Sequence, residues 1–237
     1  MASNNSSQPT KLSVIIPAYN EASTIETLLQ KIEDALSEYD IQVIVVDDGS
    51  RDGTRDILDG YRDTHHIVFH PENRGKGAAI RTGLSHVTGT HVVIQDADLE
   101  YDPNDLVLMF EHMLEYELPV LYGSRSIERG RNKEAGFSFY WGGQFLTVLT
   151  NLLYNQKLTD EPTCYKMFKT EVITALPLTC ERFEFCPEVT AKVAKQGIKI
   201  KEVPISYYPR SVTEGKKINW RDGIEAMQVL VLERFKK

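Results

Sequence analysis

The sequence has few cysteines, no excess of positive charge and no long apolar run, and each shortage argues against a class of protein. Three cysteines without CxxC spacing indicate neither a disulfide framework nor a zinc site. Lysine and arginine number 27 against 34 aspartate and glutamate residues, and the net charge of -7 argues against a nucleic-acid-binding protein. We therefore expect a reducing, cytoplasmic setting and no nucleic acid partner.

No segment has the pattern of a secretion signal or a membrane span. Residues 1–10 are polar and lack an apolar core, so we interpret them as a flexible tail. The most apolar window, 137–155, contains glutamine, threonine, asparagine and two glycines, which makes it a poor bilayer span. Its aromatic residues and the last helix could still rest on the cytoplasmic face of a membrane, the alternative being that they pack in the core: Phe137, Phe139, Trp141 and Phe145.

Four familiar site motifs are also missing. No GxGxxG segment opens the first helix, which disfavours a nicotinamide enzyme, and no stretch has the spacing of a Walker A loop. No Ser-His-Asp or Cys-His arrangement stands out, and the six histidines receive no role. The chemistry must be sought among the acidic and basic clusters.

The chain does contain an alternation of short β-branched runs with helix-length amphipathic stretches. "LSVII", "IQVIVV", "HIVFH" and "HVVI" predict strands that are each followed by a helix, and "PVLYGSR" and "IKIKEVPISYYP" predict two more strands. Continuous apolar strands alternating with helices indicate an α/β fold, with a mostly parallel central sheet flanked by helices on both faces. The last stretch predicts a helix that carries four apolar residues on one face: Trp220, Ile224, Met227 and Val231.

Polar clusters follow three of the predicted strands. The first strand ends in "PAYNE", the second in "DDGSRDGT" and the fourth in "QDADLE". In an open α/β sheet, ligands bind beyond the carboxyl ends of the strands, so the three clusters predict one shared site. For each cluster alone, turn and helix-cap chemistry is the alternative.

The acids of the third cluster favour a metal ion. Asp96 and Asp98 can both reach a hard divalent cation that keeps open positions for phosphate oxygens, although the same acids also suit a loop and helix cap. Glu100 and Asp102 follow, and we interpret one as a helper of the metal shell and the other as a helix cap.

The remaining clusters favour a nucleotide. Asp47 or Asp48 can accept hydrogen bonds from a base or ribose, whereas Asp52 looks like a helix cap. In "NRGKGAAIRTG", Arg74 and Lys76 lie among glycines before a helix, where N–H groups and cations can approach phosphate; a glycine-rich turn is the alternative. Two more basic loops invite an anion, unless they are simply solvated: Arg125, Arg129, Arg131 and Lys133 in one, Arg210, Lys216 and Lys217 in the other.

In this order and spacing, "VIIPAYNE", "VVDDGSRDGT", "NRGKGAAIRTG", "QDADLEYDP" and "YGSR" resemble glycosyltransferase family 2, whose fold is the GT-A nucleotide-sugar-binding fold. The resemblance covers nearly the whole chain, which looks most like the dolichyl- and polyprenyl-phosphate sugar synthases. It implies a GT-A catalytic domain over 11–209, followed by a mobile basic loop and an amphipathic helix over 210–237. It also implies an inverting hexosyltransferase that uses Mg²⁺ or Mn²⁺.

The resemblance further implies roles for individual residues. Those that hold the nucleotide are Pro17, Tyr19, Glu21 and Asp48, with Asp47 close by. Those that hold the metal are Asp96 and Asp98, with Glu100. Arg125 faces the phosphates or the donor sugar, Asp160 lies near the reacting sugar with Glu188 as a weaker candidate, and Lys217 and Arg210 belong to a basic loop over the donor. The residues we expect to be catalytic are Asp98, Asp160, Arg125 and Lys217.

The acceptor separates two mechanisms. A lipid phosphate is already anionic and needs no strong base, whereas a sugar hydroxyl needs a carboxylate to take its proton, with Asp160 as the candidate. We expect a polyprenyl or dolichyl phosphate, although Trp141 stands where related mannose synthases have a basic residue; Arg131 or Lys133 would then bind the acceptor phosphate. The alternatives are a transferase acting on a glycan hydroxyl and a non-catalytic nucleotide-sugar-binding subunit.

Overall fold

A computed structural model describes residues 10–128, 137–210 and 220–236, and their side chains except those of 137–140 and 220. The predictions made for the tail at 1–9 and for Arg129, Arg131, Lys133, Lys216 and Lys217 therefore lie outside the described residues. The strands are β1 (Leu12–Ala18), β2 (Ile41–Asp47), β3 (His66–Phe69), β4 (His91–Ile94), β5 (Val120–Ser124), β6 (Lys166–Lys169) and β7 (Lys201–Pro204). The helices are α1 (Ile25–Ala35), α2 (Thr54–Asp59), α3 (Lys76–Leu84), α4 (Asn104–Glu115), α5 (Phe137–Tyr154), α6 (Thr170–Thr174), α7 (Phe185–Lys195) and α8 (Trp220–Phe235).

The described strands form one seven-stranded sheet in the order β3-β2-β1-β4-β6-β5-β7. β6 runs antiparallel to both of its neighbours, and every other pairing is parallel. The predicted α/β fold with a mostly parallel sheet is confirmed. Because β6 is reversed, the residues before it approach the same edge at which the parallel strands end, and Lys166 is paired there with Tyr122 of β5.

Sequence periodicity accounts for the way the helices pack on this sheet. The apolar residues of α1 recur at helical spacing, and all of them are fully buried: Ile25, Leu28, Leu29 and Ile32, continued by Leu36 beyond its end. Burying a side chain of this size stabilises the fold by roughly 1.5–3 kcal/mol. The central strands β1, β2 and β4 are buried almost throughout, as expected for strands covered on both faces.

A second, smaller apolar cluster joins α5, α7 and α8. Leu146 of α5, Ala191 of α7 and Leu230 of α8 are buried in it, and the Tyr154 hydroxyl donates a 2.7 Å hydrogen bond to the Leu230 carbonyl. Of the residues predicted to share one face of α8, Met227 packs against this cluster, whereas Ile224 and Val231 are exposed. Within the described part of the chain, no helix has both the length and the apolar character needed to cross a membrane.

Candidate active site

The loops after β1 and β2 are tied together at the carboxyl edge of the sheet. Asn20 has a positive φ of 51°, which asparagine tolerates, and its backbone N–H donates to the Ser50 hydroxyl. In return the Asn20 side-chain oxygen accepts from the backbone N–H of Arg51. These crossed bonds hold Tyr19, half-buried, and Glu21, which is only 5% exposed, beside the turn after β2.

Asp48 is the anchor of the segment that leads into α3. Its carboxylate accepts from the backbone N–H groups of Arg74 (2.9 Å) and Gly75 (2.7 Å) and contacts His70 Nδ1 at 2.7 Å. The side chain is only 3% exposed, so its described contacts serve to hold the segment that leads into α3. Asp47 is likewise buried and pairs with Arg55 at 3.2 Å.

The phosphate cradle considered for "NRGKG" is wrong in its backbone part. Beyond the two N–H groups taken by Asp48, those of Gly77 and Ala78 donate to the carbonyls of Arg182 and Glu181. Gly77 allows this approach, since a Cβ there would lie 2.6 Å from the Cys180 carbonyl oxygen. The segment therefore contributes a cation to the site, not a set of backbone donors.

We expect Gly49→Ala to lower the free energy of unfolding by about 3 kcal/mol, because it combines a left-handed backbone with overpacking. Gly49 has φ of +76°, and an added Cβ would lie 2.5 Å from the Glu72 carbonyl carbon. Gly53→Ala is the matched control, since Gly53 also has a positive φ but an added Cβ meets nothing within 4 Å. Urea denaturation of the two variants measures the difference, and equal losses would refute the packing argument.

Lys76 is the first positive partner of the acidic cluster. Its Nζ lies 2.5 Å from Asp96 Oδ1 and 3.2 Å from Cys164 Sγ. Burial alone would lower the pKa of Lys76, but the Asp96 carboxylate together with Cys164 and Cys186 raises that pKa well above its usual value. Lys76 thus stays positively charged and compensates one of the two acids predicted to hold metal.

Arg210 is the second positive partner and reaches three acids. Its guanidinium pairs with both oxygens of Glu21, at 3.0 and 3.1 Å, and with Asp98 Oδ2 at 3.2 Å. Its backbone N–H donates to Glu100 Oε1, whose partner oxygen accepts from the Tyr207 hydroxyl. Glu100, predicted as a metal helper, is therefore engaged in anchoring the segment that carries Arg210.

The acidic cluster retains uncompensated negative charge. Burial raises the pKa of Asp98 to about 7, and the Asp96 and Glu100 carboxylates add to the rise. When all are ionised, four carboxylates face two cations, a deficit that equals the charge of one divalent ion: Glu21, Asp96, Asp98 and Glu100 against Lys76 and Arg210.

Asp96 and Asp98 fit a divalent cation that shares its coordination with a substrate. Each carboxylate side chain is 19% exposed, so both remain accessible from solvent. In the described residues no three His, Cys, Asp or Glu side chains are grouped as a complete metal site. Mg²⁺ commonly binds through one or two carboxylates, with phosphate oxygens and water filling the other positions, and a pair of acids suits that arrangement.

Arg125 and Asp160 form a pair at the same edge. Arg125 donates to the Asp160 carboxylate from Nε and Nη2, both at 2.7 Å, and from its backbone N–H at 2.9 Å. The guanidinium also lies over the Tyr207 ring, 4.9 Å from its centre. Since Tyr207 binds Glu100, contacts run from Asp160 to the acids around Arg210.

The sequence did not predict roles for Glu202 and His70 in this site, and it predicted a different role for Lys76. Glu202 of β7 accepts from the backbone N–H groups of Thr159 and Asp160 and so fixes the approach to β6. His70 follows β3 at the same edge as the polar clusters, and that position was the available signal. Lys76 was singled out, but for phosphate instead of for Asp96.

Glu188, the weaker catalytic candidate, holds a neighbouring loop in place. Its fully buried carboxylate accepts from the backbone N–H groups of Thr179 and Cys180 and pairs with Lys192 at 2.6 Å. Burial alone would raise the pKa of Glu188, but the Lys192 contact and the backbone N–H groups together lower it. These contacts explain its burial without a catalytic role.

We expect Glu188→Gln to cost about 2 kcal/mol of stability at pH 7, in line with lost hydrogen bonds to a charged group. Because the folded pKa is lowered, the contribution is complete above the unfolded pKa and disappears as the pH falls through the folded value. The stabilities of Glu188→Gln and wild type should therefore converge as the pH falls below the ordinary glutamate pKa and through the lower folded value. The exposed Glu171→Gln is the control, and a gap that persists in acid would contradict the assignment.

Comparison with known proteins agrees with this geometry. The profile of Glycosyl transferase family 2 matches residues 13–176. Glycosyltransferase AglJ of Haloferax volcanii is 28% identical over 230 residues, which cover 97% of this chain and 72% of the relative. An undecaprenyl-phosphate mannosyltransferase of Micrococcus luteus is 29% identical over 216 residues, covering 85% of each chain.

The fold is likewise found among solved structures. Glucosyl-3-phosphoglycerate synthase from Mycobacterium tuberculosis, solved with Mn²⁺, uridine diphosphate and phosphoglyceric acid, is similar with a TM-score of 0.73 at 18% identity. The match covers 96% of this chain and 79% of the synthase. With the family profile spanning most of the chain and the GT-A fold established, the chain belongs to glycosyltransferase family 2 and is a glycosyltransferase.

Proposed function

We propose that this glycosyltransferase moves a hexose, with inversion, from a nucleotide diphosphate-sugar to a polyprenyl or dolichyl phosphate, with the help of Mg²⁺ or Mn²⁺. The observation that supports the donor side is the acidic cluster of Glu21, Asp96, Asp98 and Glu100, whose four carboxylates face only the two cations of Lys76 and Arg210. A cation bound there would neutralise the departing diphosphate. Donors of the GDP-mannose or UDP-glucose type both fit this chemistry.

The hydrogen bonds that Asp160 already accepts favour a phosphate acceptor over a hydroxyl acceptor. Both of its oxygens already accept hydrogen bonds from Arg125, so taking a proton from an acceptor would disrupt that pair. A lipid phosphate brings its own anionic nucleophile and needs no such step. The Micrococcus luteus relative, whose name gives undecaprenyl phosphate as a substrate, supports the same choice.

In this mechanism the residues of the chain place positive charge beside the substrate phosphates. Arg125, held flat by Asp160 and Tyr207, presents a cation at the edge where donor and acceptor phosphates meet. Tyr19 and Glu21 follow the end of β1 at the proposed nucleotide position, and Pro17 lies in the last part of β1 itself. The further roles given to Lys217 and Arg131 stay predictions, as does the division of the chain at residues 209 and 210.

Calorimetric titration of GDP and of UDP, each with and without Mn²⁺, tests the donor site. We expect one nucleotide to bind much more tightly in the presence of Mn²⁺. Tight nucleotide binding that does not depend on Mn²⁺ would contradict the metal-binding role proposed for Asp96 and Asp98. No binding of either nucleotide would overturn the proposed donor chemistry.

A lipid acceptor lies in a membrane, so the protein needs a surface that contacts the bilayer, and α5 offers an apolar one. The helix has no charged residue, and one side of it exposes Trp141, Phe145, Val148 and Leu152. The neighbouring α8 adds exposed Ile224, Val231, Leu232 and Phe235. The middle of α5 lies near the edge of the sheet that carries the candidate site, since Gln144 donates to the Ser126 hydroxyl at 3.3 Å. We therefore propose that this two-helix face rests on the bilayer.

Flotation with phosphatidylcholine vesicles tests this contact. We expect wild type to float with the vesicles and the pair Phe145→Glu with Leu152→Glu to stay behind, because charge at an apolar contact opposes burial in lipid. Leu108→Glu, which changes an exposed leucine of α4, should float like wild type. If wild type remains entirely in the soluble fraction, the membrane proposal fails.

A further inference from the structure

Arg210 occupies one of the two carboxylates proposed to hold the divalent cation. Its Nη2 lies 3.2 Å from Asp98 Oδ2, and the same guanidinium grips both oxygens of Glu21. The side chain is 17% exposed, so these contacts are made largely out of water. A guanidinium and a divalent ion would repel each other if both lay against the Asp98 carboxylate.

The contact set of Arg210 is nevertheless incomplete. Its Nε is buried and has no hydrogen-bond partner among the described residues, and the nearest oxygen of Glu100 is 4.0 Å away. A buried donor without an acceptor is unfavourable. The planar guanidinium suits a phosphate group, which accepts two parallel hydrogen bonds from it.

We propose that Arg210 exchanges with the divalent cation: it compensates Asp98 before the donor arrives, and it transfers to the diphosphate when cation and nucleotide enter together. The inference rests on the proposed function. Metal alone must displace Arg210 from Asp98 without giving it a new partner, whereas the diphosphate supplies one. The metal and the nucleotide therefore bind with positive coupling, and Arg210 is the residue through which the coupling acts.

Lys76 is not equivalent to Arg210 in this respect. Its single ammonium group lies between Asp96 and Cys164, and its backbone begins α3, which packs on the core. Arg210 instead joins acids from two separate loops, Glu21 after β1 and Asp98 after β4, at the end of a long side chain. Its backbone N–H can remain on Glu100 while the guanidinium changes partners.

The test is titration of the full chain with Mn²⁺, followed by the electron paramagnetic resonance signal of free Mn²⁺. Arg210→Gln should bind Mn²⁺ without nucleotide more tightly than wild type, by a factor between about 5 and 150, the usual range of coupling between two sites. Adding GDP or UDP should then improve Mn²⁺ affinity less in Arg210→Gln than in wild type. Arg182→Gln removes an equal charge from an exposed arginine that pairs with Asp222, and should leave Mn²⁺ affinity within about twofold of wild type.

Three results would overturn the exchange. They are an unchanged Mn²⁺ affinity in Arg210→Gln, an equally large increase in Mn²⁺ affinity in Arg182→Gln, and a nucleotide-induced increase in Mn²⁺ affinity that is as large in Arg210→Gln as in wild type. If circular dichroism shows that Arg210→Gln does not fold, Arg210→Lys is tested in its place. Lysine keeps the charge but lacks the planar guanidinium, so the increase in Mn²⁺ affinity should be smaller. If wild type binds Mn²⁺ in the presence of nucleotide but Arg210→Gln shows no increase in Mn²⁺ affinity, only the exchange is refuted. Wild type that binds no Mn²⁺ with either nucleotide refutes the metal role itself.

Discussion

Asp98→Asn is expected to lower hexose transfer about a thousandfold. The substitution removes one of the two carboxylates that face the proposed diphosphate, and several kcal/mol of charge stabilisation at a leaving group correspond to a loss of that size. Asn keeps the shape of Asp98 and its acceptor for the Glu100 backbone N–H, so the loop from 96 to 100 should remain in place. The measurement is kcat for transfer from GDP-mannose and UDP-glucose to polyprenyl phosphate, with donor hydrolysis followed in parallel.

Asp102→Asn is the matched control for this experiment, because it makes the same chemical change in the same acidic stretch. The Asp102 carboxylate accepts from the backbone and side chain of Asn104 and so caps the start of α4, a task that asparagine also performs well. Its kcat should stay within about threefold of wild type, since the surface change costs little. Full activity in Asp98→Asn would refute the metal role, and no activity in wild type with either donor would overturn the proposed donors.

The sequence predicts those features of the site that follow directly from the geometry of parallel strands. Once β1, β2 and β4 are recognised as buried parallel strands, their polar ends must meet at one edge, and the structure places Glu21, Asp48 and Asp98 there. The α1 face was predictable for a similar reason, because helical spacing alone decides which residues can reach the sheet.

The pairings across the site could not be predicted, since they join residues far apart in the chain. Arg210 meets Glu21 only because β7 runs parallel to β5 and ends at the same edge as β1. β6 was missed because "KMFK" is short and lacks the β-branched residues that predict a strand. Without β6, nothing in the sequence placed Asp160 beside Arg125.

The glycine segment shows why a local motif can mislead. Glycines ahead of a helix free its first N–H groups for phosphate, but they equally allow another backbone to approach. Here Gly77 admits the carbonyls of the loop at 180–182, and those carbonyls take the helix donors. Only tertiary contacts decide between these two uses, so the sequence left both open.

Asp160→Asn is expected to reduce kcat about a hundredfold and to lower the free energy of unfolding by about 3 kcal/mol. Asp160 is 5% exposed and Arg125 23% exposed at the side chain, and removing one charge from such a pair leaves the other poorly compensated. Denaturation and transfer assays measure the two effects. The exposed pair of Asp59 with Arg62 sets the scale, since Asp59→Asn should change stability by no more than about 1 kcal/mol.

The decisive comparison is the double-mutant cycle that combines Asp160→Asn with Arg125→Lys. If Asp160 acts by orienting Arg125 towards phosphate, each single change already breaks that unit, and the double variant should be little slower than the slower single variant. If Asp160 takes a proton from a sugar hydroxyl, its loss removes a separate contribution and the two effects should multiply. A multiplied loss would therefore replace the lipid phosphate with a hydroxyl acceptor, whereas a strongly non-additive one would keep Asp160 as the residue that positions Arg125.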